Sequence, residues 1–207
     1  MNEKELYSEL GNLTKRKDDW NDNINFVGAL LENQSLKITA KALWLIGEMG
    51  LQYPEEVEPY VSKIVSYLNA SDDLLRERSL NALGRIGRAD FNLVKPYMKA
   101  IFERATDMAP QVRLSFIWAS ENIATNTPDA YREYMPIYAE LLNDCNDKVR
   151  MEAPEMFRVI GKRRPQWVKP YIEKLQSMAD NDPNPVVRIH SAGAIRITNL
   201  ETKAKCD

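Results

Sequence analysis

The sequence contains few of the residues that build disulfide frameworks, zinc sites and flexible linkers. Its 207 residues include two cysteines, Cys145 and Cys206, and a single histidine, His190. Two cysteines are too few for a disulfide framework, and one histidine leaves too few ligands for a Cys/His zinc cluster. Eight glycines and eleven prolines exclude a collagen-like or low-complexity chain. We therefore expect a folded chain without a bound metal ion.

The sequence also lacks a long apolar run and a targeting segment. The longest apolar stretch is Ala42–Ile46, whereas a membrane-spanning helix needs about 20 apolar residues. The acidic N-terminus, Met1–Glu5, is not followed by the apolar segment of a secretory signal. We expect a cytoplasmic protein with reduced thiols and no membrane partner.

Neither sign of charge dominates, and the motifs of common enzymes are missing. Twenty-eight basic residues stand against thirty acidic ones, for a net charge of −2. That balance argues against a dedicated nucleic-acid binder, which normally carries a basic excess. The sequence has no glycine-rich phosphate loop, no HExxH motif and no nucleophile elbow. We therefore expect neither catalysis nor a cofactor.

Three residue columns repeat with a period of about 37 residues. One column contains the tyrosines Tyr60, Tyr97, Tyr134 and Tyr171. The second contains an apolar residue followed by arginine, as in Leu75-Arg76, Val112-Arg113, Val149-Arg150 and Val187-Arg188. The third is a small residue that closes each unit, namely Gly50, Gly87, Ala124 and Gly161. Three columns with one period indicate a repeat protein.

The apolar spacing inside each unit is that of an α-helix. Apolar side chains within residues 57–68 recur at i, i+3, i+4, i+7, i+8 and i+11, and the second segments repeat them at offsets of 0, 7, 8 and 11. These offsets lie on one face of a helix with about 3.6 residues per turn. No stretch alternates with period two for long enough to predict a strand. Each unit is thus predicted to be a helical hairpin, and stacked hairpins would form an all-α, right-handed α-solenoid.

We predict one solenoid domain over residues 1–207. Its predicted parts are a capping helix at 1–18, repeats at 19–50, 54–87, 91–124, 128–161 and 165–198, and a frayed tail at 201–207. The first helix of a repeat has two interpretations. Pro59, like Pro96 and Pro170, either stands in the first helical turn or kinks a helix that begins about five residues earlier, as at Pro54.

The residues that open and close the second helices resemble the HEAT repeat family. Asp147–Arg150 and Pro185–Arg188 match its Val-Arg opening, and Leu83–Gly87 matches its small and aliphatic ending. The resemblance covers about residues 20–200 and departs in the first unit, where Thr39 stands in the arginine column. It implies that the Val-Arg helices line a concave face and the Pro-Tyr helices a convex one. It implies no particular activity.

The repeated arginine could bind phosphates or hold the repeats together. In repeats of this kind it usually bonds turn carboxylates and carbonyls of neighbouring units, and Asp107 and Asp144 are plausible partners. Structural ion pairs are commoner than functional sites. We therefore predict a structural ladder of Arg76, Arg113, Arg150 and Arg188.

Residues between the buried columns of the second helices are predicted to form a partner-binding surface on the concave face. The predicted surface contains Trp44, Glu48, Arg78, Asn81, Arg85, Trp118, Asn122 and Glu155. Tryptophans among mixed charges are typical of a surface that binds a protein or peptide. The alternative is that both indoles pack against a neighbouring helix. We predict a non-catalytic scaffold with its binding surface centred on Trp118.

Two other functions occur on repeats of this type. HEAT-like DNA alkylation-damage glycosylases use concave-face tryptophans together with a carboxylate. The pair Trp44/Glu48 resembles this arrangement. The pair Trp118/Asn122 resembles it less, because Asn122 carries an amide in place of the carboxylate. The basic end Lys162–Arg164 would supply some of the cations that phosphates need. Bilin lyases also contain short HEAT repeats, but no residue here points to pigment attachment. A nucleic-acid-binding or glycosylase-like protein is therefore the alternative.

Overall fold

The computed structural model describes residues 1–204, with side chains as far as Leu200, and it contains helices and no strand in that range. The α-helices form hairpins of the predicted period, so the prediction of an all-α solenoid is confirmed. Of the predicted tail, residues 201–204 continue the last helix, and residues 205–207 lie outside the described part of the chain.

The helices follow one another in five hairpins behind an N-terminal helix. In chain order, the α-helices are α1 (Glu3–Leu13), α2 (Trp20–Ala29), α3 (Leu36–Gln52), α4 (Pro54–Val57), α5 (Val61–Ser66), α6 (Asp73–Ala89), α7 (Phe91–Val94), α8 (Met98–Phe102), α9 (Pro110–Asn126), α10 (Met135–Leu141), α11 (Asp147–Gly161), α12 (Pro165–Val168), α13 (Ile172–Asn181) and α14 (Pro185–Ala204). Short 3-10 helices lie at Lys17–Asp19, Leu30–Glu32, Glu58–Tyr60, Tyr67–Asn69, Lys95–Tyr97, Glu103–Thr106, Pro128–Tyr134 and Lys169–Tyr171. We call α3, α6, α9, α11 and α14 the second helices.

The turn residues between the two parts of a hairpin cap the second helices. The Asp72 carboxylate accepts a hydrogen bond from the Leu74 N–H at the start of α6, and the Asn146 side chain does the same for the Lys148 N–H of α11. Such side chains satisfy backbone donors that have no partner inside the helix. Polar turn residues therefore fix where α6 and α11 begin.

Proline divides the first part of a hairpin into short segments. Around Pro59 the chain runs from α4 through the 3-10 helix Glu58–Tyr60 into α5. A proline inside an α-helix removes one hydrogen bond and its ring clashes with the preceding turn. Of the two interpretations of these prolines, the structure supports the earlier start at Pro54 with an interruption at Pro59.

The described chain divides into two compact units, residues 1–119 and residues from Ser120 onward, and α9 contributes residues to each. In the first unit, α3 packs against α6, α2 and α1. The N-terminal helix α1 buries Leu6, Leu10 and Leu13. The helix thus lies beside α3 with its apolar side chains buried, and its role as a capping helix stays a prediction.

In the second unit, α11 packs against α14, and α13 packs against α14 as well. The rings of Tyr131 and Tyr138 are completely buried, with centroids 6.2 Å apart. Phe157 of α11 lies with its ring centroid 5.3 Å from that of Tyr171. Aromatic side chains therefore pack both within the first part of a hairpin and between one hairpin and the next.

Two glycines allow the second helices of the first unit to approach closely. A Cβ atom at Gly47 of α3 would lie 2.6 Å from the Ala82 Cα of α6, and one at Gly84 would lie 2.5 Å from the Ala119 Cα of α9. Such distances are far below a normal contact. The α3–α6 and α6–α9 spacings thus depend on the absence of a side chain at these two positions.

Candidate functional site

A groove of about 400 Å³ lies on the first unit, between α1, α3 and α6. It is lined by three cationic side chains, Lys37, Lys41 and Arg78, and by no carboxylate. We call it the cationic groove. Its charge is uniform, although the chain as a whole carries slightly more acidic than basic residues.

Aromatic and aliphatic side chains form the rest of the cationic groove. The Lys37 ammonium lies 4.2 Å from the ring centroid of Tyr7, and the Lys41 ammonium lies 4.3 Å from that of Trp44. Attraction between an ammonium group and the face of a ring holds each lysine beside its aromatic partner. Leu36, Ala40 and Leu74 supply the aliphatic part of the lining.

Among the described side chains, the lysines of the cationic groove have no carboxylate partner, and Arg78 has a distant one. No salt bridge to Lys37 or Lys41 is formed among residues 1–200, and the Arg78 Nε lies 3.8 Å from the Glu77 Oε1. Burial lowers the pKa of Lys41, and the nearby Arg78 guanidinium lowers it further. The groove therefore concentrates positive charge that an anion would neutralise.

Other predicted site residues of the first unit are already paired. The Arg85 Nε lies 2.5 Å from the Glu48 Oε1, and the Arg85 guanidinium also donates to the Asn81 carbonyl. The Asn81 amide donates to the Ser115 hydroxyl at 3.4 Å. The structure thus groups Trp44 with Arg78 in the cationic groove, and Glu48 with Arg85 and Asn81 in a hydrogen-bonded network.

The remaining predicted site residues lie elsewhere. Trp118, on α9 of the first unit, is half-buried and does not line the cationic groove. Asn122 is half-buried in the second unit. Glu155 of α11 is buried, with Arg158 bound to its carboxylate and the His190 Nδ1 3.5 Å from its Oε1. The choice of Trp118 as the centre of a binding surface stays a prediction.

The arginine column makes contacts with turns. Arg76 donates to both carboxylate oxygens of Asp107, at 2.8 and 2.9 Å, and to the carbonyls of Ala70 and Ser71. Burial raises the pKa of Asp107, but hydrogen bonds from Arg76 and from the Ala109 N–H outweigh it and leave that pKa below its usual value. These bonds join the turn before α6 to the turn before α9.

The other members of the column bond in the same way. Arg113 donates to the carbonyl of Asp107 at 2.7 Å. Arg150 donates to Asp147, to Asp182 and to the Asp144 carbonyl, and Arg188 donates to the Asp182 carbonyl at 2.7 Å. Each guanidinium contacts the turn that precedes its own helix.

The basic end Lys162–Arg164 borders a smaller groove of about 260 Å³ in the second unit. Lys162 and Arg163 line it with Arg158, whereas Arg164 binds both carboxylate oxygens of Asp129, at 2.7 and 2.8 Å. Arg158 in turn binds the carboxylate of Glu155. The positive charge at this end is thus partly neutralised by acidic side chains.

A half-buried glutamate on α9, Glu121, was not among the residues singled out from the sequence. The Glu121 Oε1 is closed to solvent and has no hydrogen-bond partner among the described side chains. Burial raises the pKa of Glu121 well above its usual value, and the carboxylates of Glu152 and Glu155 raise it further, against the opposing effect of Arg158. The period offers a signal for it, because Glu121 occupies the column of Gly47 and Gly84.

Because the pKa of Glu121 is higher in the folded than in the unfolded chain, its deprotonation should favour unfolding. Its ionisation should reduce stability progressively as the pH rises above about 4.5, the ordinary glutamate value. The variant Glu121→Gln should therefore be more stable than wild type at neutral pH, and the difference should shrink as the pH falls toward that value. Urea unfolding across this pH range measures it. The exposed Glu140→Gln is the control, and an equal response of both variants would contradict the prediction.

Sequence reasoning found only part of the cationic groove. Trp44 and Arg78 were predicted from their columns, whereas Tyr7, Lys37 and Lys41 were not among the predicted site residues. Lys37, Lys41 and Trp44 are spaced i, i+4 and i+7 on α3, so their common face was a usable signal. Tyr7 belongs to α1, which lies outside the repeats, so no repeated column predicts its position.

The described residues offer few other sites. No three Asp, Glu, His or Cys side chains among them come together as metal ligands would. None of the helices in the described range is both long and apolar enough to cross a membrane.

Solved structures of designed repeat proteins have similar folds. A designed armadillo repeat protein in complex with the peptide (KR)4 is 19% identical and has a TM-score of 0.68, over 95% of this chain and 94% of that one. An engineered protein is 15% identical, with a TM-score of 0.68 over 94% of this chain and 84% of that one. Another neighbour, from armadillo repeat proteins designed for modular peptide recognition, is 17% identical with a TM-score of 0.63, over 95% of this chain and 94% of that one. At these identities the likeness shows the fold.

Sequence comparison gives the family. No curated protein matches the chain significantly. Residues 13–180, well over half of the chain, match the family of the sister chromatid cohesion protein PDS5. This range contains α2 to α12 and most of α13, including every member of the cationic groove except Tyr7. The chain is a HEAT-like helical repeat protein that belongs to the PDS5 family.

Proposed function

We propose that this chain is a non-catalytic scaffold that binds a partner protein or peptide on the surface of its second helices. The observation that carries the proposal is the cationic groove, in which Trp44 is half-buried beside aliphatic side chains and two lysines that form no salt bridge among residues 1–200. An aromatic side chain in a groove, with polar groups at its border, is the usual centre of a protein-binding surface. The fold supports the same function, because designed armadillo neighbours include one in complex with a peptide.

The nucleic-acid alternative receives less support. Glu48, the carboxylate of the Trp44/Glu48 pair, is bound by Arg85. At the basic end, Arg164 is bound by Asp129. Binding to a phosphate backbone needs several cations that are free to neutralise it. The pairing of these side chains therefore favours a protein partner.

Peptide selection tests the proposal. The full chain should enrich peptides from a random display library, and replacing Trp44 with alanine should weaken the best of them by about 2 kcal/mol or more, or roughly 30-fold. Titration of the synthetic peptides measures the affinities, and Trp167→Ala, at another half-buried indole, is the matched control. A melting temperature near that of wild type shows that Trp44→Ala is folded. If no peptide is enriched, or if the peptides bind Trp44→Ala unchanged, the proposal is wrong.

A further inference from the structure

The chemistry of the cationic groove indicates what kind of partner fits it. Three arginines elsewhere on the second helices lie against carboxylates: Arg76 against Asp107, Arg85 against Glu48, and Arg158 against Glu155. Lys37 and Lys41 are held instead by the rings of Tyr7 and Trp44. A ring face attracts an ammonium group without neutralising its charge. These two lysines are thus available to a carboxylate from outside the chain.

The positions of the cations favour an anion that reaches into the groove. Lys41 is half-buried, and the exposed fraction of the Arg78 side chain is 34%. Two partly desolvated like charges repel each other, and an anion placed between them removes that repulsion. The arrangement therefore favours an incoming negative charge and disfavours a basic segment such as (KR)4.

The apolar lining favours a peptide over a nucleic acid. Leu36, Ala40 and Leu74 share the groove with the cations, and they offer contacts to aliphatic or aromatic side chains. A phosphate backbone would need an extended series of unpaired cations. The groove supplies three cations, on a chain whose net charge is −2. Carboxylates next to apolar side chains match both parts of the lining.

We propose that the cationic groove binds an acidic segment of a partner protein, with carboxylate side chains among Lys37, Lys41 and Arg78 and apolar neighbours against Trp44 and Leu74. This inference rests on the proposed function and adds the chemical class of the partner. The carboxylates form charge-assisted hydrogen bonds with the ammonium and guanidinium groups. The apolar side chains gain affinity by leaving water.

The experiment uses the peptides enriched by the full chain and their amide versions, in which every Asp and Glu is replaced by Asn and Gln. The enriched peptides should contain Asp or Glu beside apolar residues, and the amide versions should bind wild type about tenfold more weakly or worse. The double variant Lys37→Gln/Lys41→Gln should bind the acidic peptide more weakly and lose most of its discrimination between the two versions. The control Lys95→Gln/Lys99→Gln, at exposed lysines of the first part of a hairpin, should keep it.

The outcomes separate the two proposals. If peptides bind through Trp44 but their amide versions bind equally well, the acidic partner is wrong and the scaffold function stands. If no peptide is enriched, both proposals fail. If a mixed-sequence DNA duplex displaces the bound peptide at physiological salt, the groove binds a phosphate backbone. The same holds if the duplex binds the wild type and binds the double lysine variant more weakly. Either result would overturn the inference. Melting curves of all variants verify that they are folded.

Discussion

Replacing Arg76 with alanine should lower the free energy of unfolding by about 3 kcal/mol, at the lower end of the range for breaking a buried ion pair. The Asp107 side chain is 5% exposed and that of Arg76 is 14% exposed. Loss of the guanidinium would leave the Asp107 carboxylate with Arg104, 3.7 Å away, and with the Ala109 N–H. It would also remove the donor that binds the carbonyls of Ala70 and Ser71. Chemical denaturation measures the change.

The control for this prediction is Arg132→Ala, because the Arg132 side chain is 67% exposed and lies 3.9 Å from the exposed Glu133. An exposed ion pair contributes about 0–1 kcal/mol. Arg76→Lys should lie between the two variants, since lysine keeps the charge but not the two parallel bonds. Equal stabilities of Arg76→Ala and Arg132→Ala would refute the structural role of the arginine column and reopen its interpretation as a phosphate-binding track.

Replacing Gly84 with alanine should destabilise the chain by about 2 kcal/mol, because added atoms in a packed contact usually cost about 1–3 kcal/mol. The new Cβ would lie 2.5 Å from the Ala119 Cα and 3.2 Å from its carbonyl oxygen. Backbone atoms cannot move aside as a flexible side chain can, so α6 and α9 would have to separate. This steric cost should exceed the gain in helix propensity.

Gly11→Ala is the matched control. Gly11 also lies inside a helix, α1, but a Cβ there would have no neighbour within 4 Å. Its replacement should stabilise the chain by up to about 1 kcal/mol, through helix propensity alone. The two glycine variants should therefore shift the denaturation midpoint in opposite directions. A stabilising effect of Gly84→Ala would show that the second helices do not pack as closely as described.

The repeat period predicts the fold class well, because the same residue types recur in each hairpin and each one is restricted by burial or by a turn. Asp72, for example, caps α6, and it belongs to a turn whose polar residues predict a helix start there. The sequence alone does not decide whether Pro59 begins a helix or interrupts one, because proline is compatible both with a first helical turn and with a break. The conformation of the preceding residues decides between the two, because α4 already begins at Pro54.

The candidate site is less predictable, because it depends on deviations from the repeat. Trp44 and Glu48 are four residues apart on α3, yet Trp44 contacts Lys41 and Glu48 contacts Arg85 of α6. Two side chains one turn apart on the same helix thus contact different groups of residues. Glu121 is a further case, since a glutamate replaces the glycine of its column, and its Oε1 is closed to solvent in the electrostatic field of Glu152 and Glu155.

Lysine acetylation with and without a selected peptide tests most directly whether the cationic groove is the binding surface. Lys37 and Lys41 should become several-fold less reactive when the peptide is bound, while the exposed Lys148 of α11 should react as before. Mass spectrometry of the labelled chain gives the extent of reaction at each lysine. Protection of Lys37 and Lys41 alone is the predicted result. Unchanged reactivity of both lysines at saturating peptide would contradict the proposal that a partner binds in this groove.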